Sequence, residues 1–138
     1  MKDVIIIGAG GHSAEIDEYI KYSQSVTGKR ELNVIGFLDD NPDNYAGYRL
    51  SAPLLGGIKD HKVVPGQAYI IGIANLKYRR LFVERFLAGG AVFVSFIHPS
   101  AYVSESATVG EGSIVGPNAN LGPNVKIGNY TLINSRCS

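Results

Sequence analysis

The apolar positions of this chain change period part-way along. Residues 4–7 (Val-Ile-Ile-Ile) form an unbroken aliphatic run, the pattern of a strand buried on both faces of a parallel sheet. Glycines follow. Ala14, Ile16, Tyr19 and Ile20 then fall at helical spacing within residues 12–25. Residues 33–38 predict a second strand, stopped by the turn formers Asp39 to Asn44. A short strand is expected next, at Tyr48 to Leu50 or at Leu54 and Leu55. Residues 68–73 predict another strand. Residues 76–88 predict a helix with Leu81, Phe82, Phe86 and Leu87 on one side and Lys77, Arg79, Arg80 and Glu84 largely elsewhere, closed by Gly89 and Gly90. Residues 91–97 predict the last strand of this half. The alternation implies an α/β fold: a small, doubly wound, Rossmann-like parallel sheet with right-handed crossovers and helices on both faces.

After His98 and Pro99 the beat becomes six. Val103, Val109, Val115, Leu121, Ile127 and Ile133 recur in phase, and Gly110, Gly116, Gly122 and Gly128 each follow one of them. Four residues past each aliphatic stands a small or modest side chain: Ala107, Ser113, Ala119, Val125, Thr131 and Cys137. A six-residue period fits no helix. It predicts a left-handed parallel β-helix, three short strands to each triangular coil, with the aliphatic filling the prism and glycine easing the corners. The expected division is 1–97 for the α/β domain and 98–138 for an incomplete β-helix. Because the repeats amount to only two coils, the chain is expected to end prematurely, as a fragment, an artificially shortened form or the product of a disrupted gene.

Composition narrows the classes of function. The chain has 138 residues, is 45% hydrophobic and 18% charged, and carries a formal net charge of +1. That balance gives no electrostatic case for nucleic acid or an anionic membrane surface. No apolar run approaches the length of a membrane span. One cysteine, Cys137, excludes an internal disulfide, and a cytoplasmic location is the default expectation.

Candidate chemistry gathers where the strands end. A glycine turn after the first strand, Gly8, Gly10 and Gly11 followed by His12, lets backbone N–H groups and a helix N-terminus face a phosphate. Ser13 stands where the dinucleotide fingerprint has its third glycine. Asp39 and Asp40, at the end of the second strand, can accept hydrogen bonds from a ribose or a base, and one of them also suits the start of the Asn41-Pro42 turn. They make a poor metal pair, with no further ligand nearby. His12 either contacts a ligand or caps its helix. His61 reads as solvated, His98 as a hydrogen-bonded hinge residue, and Cys137 as packing. Arg79 and Arg80 stand in the first turn of a helix, where a cation opposes the dipole.

Taken in order, "VIIIGAGGHSAE", "VIGFLDDNP", "LLGG" and "IHPSAYVSESATVGEGSIVGPNANLGPNVKIGNYTLINS" resemble the NeuD/PglD-type sugar acyltransferases over the whole chain. The resemblance implies a sugar-nucleotide acetyltransferase of surface-glycan biosynthesis. Its N-terminal domain would bind a nucleotide sugar, typically UDP-linked, through Gly8, Gly10, Gly11, His12, Asp39, Asp40, Ala74 and Asn75, with Arg79 a further candidate. Its β-helix would form a homotrimer and bind acetyl-CoA, the co-substrate, between subunits; no metal is implied. The family's catalytic histidine would fall just past Ser138, so the chain as given is expected to bind but not to catalyse. Two alternatives stay open: an NAD(P)-binding domain, and a non-catalytic module that only oligomerises or binds.

Overall fold

The computed structural model describes residues 1–133; Cys137 lies outside them. The chain divides into two compact units, Met1–Glu18 with Arg30–Phe93, and Tyr19–Lys29 with Val94 onward.

The first unit is built on five strands in the order β3-β2-β1-β4-β5. They are β1 (Lys2–Ile7), β2 (Leu32–Leu38), β3 (Leu54–Gly56), β4 (Ala68–Ile71) and β5 (Val92–Phe93), and every pairing is parallel. Helix α1 (Gly11–Thr27) joins β1 to β2, and α3 (Leu76–Ala88) joins β4 to β5. These two crossovers run in opposite directions across the sheet, so right-handed connections put the two helices on opposite faces. The aliphatic run of β1 explains its central place: Val4, Ile6 and Ile7 are fully buried, beside Ile70 and Ile71 of β4 and Phe37 and Leu38 of β2.

Four local expectations are corrected. The turn cluster at Asp39 to Asn44 contains a short helix, α2 (Pro42–Ala46), capped by the Asn41 side chain accepting from the Asp43 N–H, with Pro42 in its first turn; proline and a capping asparagine serve helix starts as well as turns. On α3 the buried stripe is Arg79, Phe82, Val83 and Phe86, at i, i+3, i+4 and i+7, which leaves Leu81 54% exposed and Leu87 outside. Arg79 belongs to the packed side because its Nη1 donates to the Ile73 carbonyl at 3.0 Å. His61 is half-buried, not solvated. Its Nε2 lies 2.8 Å from the Tyr69 hydroxyl and its ring stacks on Phe86. Finally, residues 91–97 are two strands, not one. β5 pairs with β4, whereas β6 (Phe96–Ile97) pairs with a strand of the hexad series.

In the second unit each hexad contributes one two-residue strand: β7 (Tyr102–Val103), β8 (Thr108–Val109), β9 (Ile114–Val115), β10 (Asn120–Leu121), β11 (Lys126–Ile127) and β12 (Leu132–Ile133). The recurring aliphatic is always the second residue. Val103 pairs with Leu121, Val109 with Ile127 and Val115 with Ile133, all parallel, so three hexads close one coil. Ile97 pairs with Val115 in the same way, and the inward series therefore starts one hexad earlier than the sequence reading placed it. Val115, Ala119 and Leu121 form the buried centre, with Ala101, Val103, Val109 and Ile127 packed against it. The left-handed corners fall at Gly112, Asn118, Asn124 and Tyr130, not at the glycines that follow the aliphatics. A Cβ on Gly110 would collide with Asn129 and with the Gly128 backbone, yet Gly122 has open space. The corners are tied between coils: Ser100 Oγ accepts from the Asn118 N–H and Ser106 Oγ from the Asn124 N–H, each at 2.9 Å. His98 is hydrogen-bonded as expected, its Nδ1 accepting from the Ser100 N–H at 3.1 Å, and it stacks on Tyr22.

Candidate functional site

In the first unit the strand order reverses between β1 and β4, and an open α/β sheet offers its ligand crevice at the carboxyl ends of such strands. A cleft of about 540 Å³ lies there, lined by residues that follow β1, β2 and β4.

Its floor is the turn after β1. Gly8 has φ +101° and a Cβ there would press on Ile73 and Ser13, so glycine is required by both conformation and space. The Gly8 N–H donates to the Leu38 carbonyl and the Ala9 N–H to Asp39 Oδ2 at 2.9 Å. Those two donors are committed to the scaffold. The next ones, on Gly10, Gly11, His12 and Ser13, open α1, where helix geometry supplies no intrahelical acceptor. Gly10, Gly11 and His12 line the cleft. Ser13 is fully buried, and its Oγ donates to the Gly72 carbonyl at 2.9 Å. A Cβ on Gly72 would collide with that same hydroxyl. The close helix–strand approach that a third glycine would allow is achieved here by a glycine on the strand side.

The two carboxylates at the end of β2 do different work. Asp39 accepts from Ala9 N–H, from Asn41 N–H at 2.8 Å and from Asn44 Nδ2 at both oxygens, so it laces the β1 turn to the start of α2. Asp40 is exposed and accepts from the Lys59 N–H at 3.2 Å through Oδ1, leaving Oδ2 for a ligand donor. Gly57 lets Asp40 lie close, because a Cβ there would stand 2.6 Å from Oδ1.

His12 and Arg79 close the inner side. His12 Nε2 is buried with no hydrogen-bond partner among the described residues. Burial first, and the nearby Arg79 guanidinium second, hold its pKa below the ordinary 6.5, with Glu15 acting the other way. Arg79 is only 5% exposed, and burial lowers its own pKa. Tyr78 and Phe82 of α3, with Ile58, give the cleft an apolar flank.

Of the residues expected to form a site, Gly8, Gly10, Gly11, His12, Asp39, Asp40 and Ala74 line this one cleft. Asn75 instead caps α3, its side chain accepting from the Tyr78 N–H at 3.2 Å. Asn41, Asn44, Ile58, Lys59, Gly72 and Phe82 also line it and were not expected. For Gly72 a signal existed, a glycine near the end of the strand expected at residues 68–73. Lys59 arrives through a loop whose polar composition says nothing of its target. Among the described residues no group of His, Cys, Asp and Glu side chains is placed to hold a metal, and no helix is long and apolar enough to cross a membrane.

Comparison with known proteins matches residues 3–86 to the PglD N-terminal domain and residues 106–138 to the bacterial transferase hexapeptide (six repeats). The chain is 30% identical over 107 residues to UDP-N-acetylbacillosamine N-acetyltransferase of Bacillus subtilis (strain 168), covering 76% of this chain and 47% of that protein. It thus spans about half the length of this curated relative. Among solved structures it resembles a histidine-to-asparagine mutant of perosamine N-acetyltransferase from Caulobacter crescentus in complex with CoA and GDP-perosamine, at TM-score 0.73 and 26% identity over 97% of this chain and 60% of the other. It also resembles the acetyltransferase domain of PglB from Neisseria gonorrhoeae FA1090 in complex with acetyl coenzyme A, at TM-score 0.61 and 25% identity over 96% of this chain and 67% of the other.

Proposed function

This chain belongs to the family of the PglD N-terminal domain, and on that premise we propose that it is the nucleotide-sugar-holding part of an acetyl-CoA-dependent sugar-nucleotide acetyltransferase of glycan biosynthesis. The observation that carries the reading is the cleft at the β1/β4 switch point, where a glycine turn, the residues opening α1 and the Asp40 carboxylate converge. In this reading the N–H groups of Gly10, Gly11 and His12 cradle the diphosphate. Asp40, with an oxygen to spare, accepts from a base N–H or a ribose hydroxyl, while Asp39 holds the cradle in shape. Ala74 borders the sugar side, and Asn75 acts through α3, whose first turn it fixes.

We propose a UDP-linked sugar as substrate, the nucleotide named for the Bacillus relative; the Caulobacter enzyme's GDP-sugar is the competing choice. Acetyl-CoA would be held by the hexapeptide prism, between copies of the chain in a homotrimer. The transfer would join the acetyl carbonyl to an amine or hydroxyl of the sugar, releasing CoA thiol. A general base must take the proton from that amine or hydroxyl.

Thermal melting of the chain with UDP-N-acetylglucosamine, GDP-mannose and NAD tests the reading. A nucleotide sugar at a hundred times its Kd adds about 2.7 kcal/mol to the folded state. The expected result is a raised Tm with the UDP-sugar and no change with NAD. Stabilisation by GDP-mannose only would correct the base; stabilisation by NAD only would overturn the proposal.

A further inference from the structure

His12 lines the cleft and carries an imidazole nitrogen that is buried with no hydrogen-bond partner among the described residues. Buried polar atoms are normally paired, so an orphan on a cleft wall marks a group whose partner arrives with the ligand. It is the second residue of α1, among the N–H groups that lack an intrahelical acceptor. We infer that His12 takes up a proton when the diphosphate of a nucleotide sugar enters this cleft, and that the resulting imidazolium becomes a charge partner of the ligand; the inference rests on the nucleotide-sugar reading above.

The charged groups around the ring come from several elements. Glu15 acts from α1 itself and Arg79 from α3. Asp39 and Asp40 at the end of β2 and Lys59 after β3 line the same cleft. Burial and then Arg79 outweigh Glu15 and disfavour the protonated ring. A diphosphate adds negative charge at the helix start, and an anion within ~4–6 Å favours the protonated ring. The proton comes from solvent and no covalent bond to the ligand forms. Binding that takes up a proton weakens as pH rises, by up to about tenfold per pH unit. The affected window runs from the free-state pKa, below 6.5, up to the higher pKa of the occupied cleft.

The experiment is isothermal titration of the whole chain with UDP-N-acetylglucosamine and with GDP-mannose, at about pH 7, in buffers of different ionisation enthalpy. Both ligands carry doubly esterified diphosphates, so neither has the terminal phosphate proton that leaves near pH ~6. The wild-type chain is expected to take up a proton approaching one per ligand bound. His12→Gln, shown to be folded by its melting curve, is expected to bind more weakly with no uptake. Binding with no proton uptake by the wild type would overturn the inference and leave the function standing: a neutral ring then serves as donor. Unchanged uptake in His12→Gln would overturn it too. No binding of either ligand would fell both. Should His12→Gln fail to fold, the wild-type stoichiometry and the fall of its affinity with rising pH decide by themselves.

Discussion

Ser13 and Gly72 stand 59 residues apart and are joined by one hydrogen bond, a pairing the sequence could not announce. Adding a methyl at Gly72 drives it into the Ser13 hydroxyl and against Ile6 and the Ile7 carbonyl; overpacking of this kind costs about 1–3 kcal/mol. Gly72→Ala should therefore lower stability by that amount, and Ser13→Gly should restore part of it, a coupling readable from a double-mutant cycle of urea unfolding. Full additivity would show that the two do not share the space. Asp39 and Asp40 look equivalent in the sequence, and their partners separate them. Asp39→Ala strands donors on Ala9, Asn41 and Asn44, for a loss of about 1–3 kcal/mol. Asp40→Ala releases one N–H at an exposed position and should leave stability within about 0.5 kcal/mol, while weakening nucleotide-sugar binding. Equal losses of stability would contradict the assignment.

Elements were legible where their periodicity was long or strict. The hexad series announced itself because an inward aliphatic every sixth residue is what a three-sided coil demands, and each one became the second residue of a strand. The bounds of α3 were readable; its buried face was not. Apolar character alone put Leu81 and Phe86 on one side, whereas the carbonyl of Ile73 draws Arg79 inward and turns the helix so that Phe86 is fully buried and Leu81 mostly exposed. Phe86→Ala should consequently cost about 3–5 kcal/mol, and Leu81→Ala no more than about 0.5 kcal/mol, both by denaturant unfolding. Similar costs would restore the apolar stripe first read from the sequence. The break at 93–96 was hidden for a related reason. Ala91 to Ile97 is apolar except for Ser95, and the partners of its two strands divide it.

For the whole molecule, all three histidines are held below their ordinary pKa of 6.5, mainly by burial. The folded chain therefore resists protonation that the unfolded chain accepts. The stability they confer is complete above about pH 6.5 and is lost as pH falls from there toward the folded-state pKa values. Tm should drop between about pH 7.5 and pH 5.5; a constant Tm would show that burial does not restrain these rings. The location of the site was legible at this scale, because a glycine turn after the first strand and acids after the second must meet at the carboxyl edge of a parallel sheet. Its far wall was not, since Ile58, Lys59 and Phe82 reach it through tertiary packing. The central claim is that this edge holds a nucleotide sugar, and amide chemical shifts of the ¹⁵N-labelled chain, titrated with UDP-N-acetylglucosamine and GDP-mannose, test it most directly. Saturable shifts at Gly10, Gly11, His12, Asp40, Lys59 and Ala74 are the predicted result. Spectra unmoved by either ligand, or perturbed only away from these amides, would contradict it.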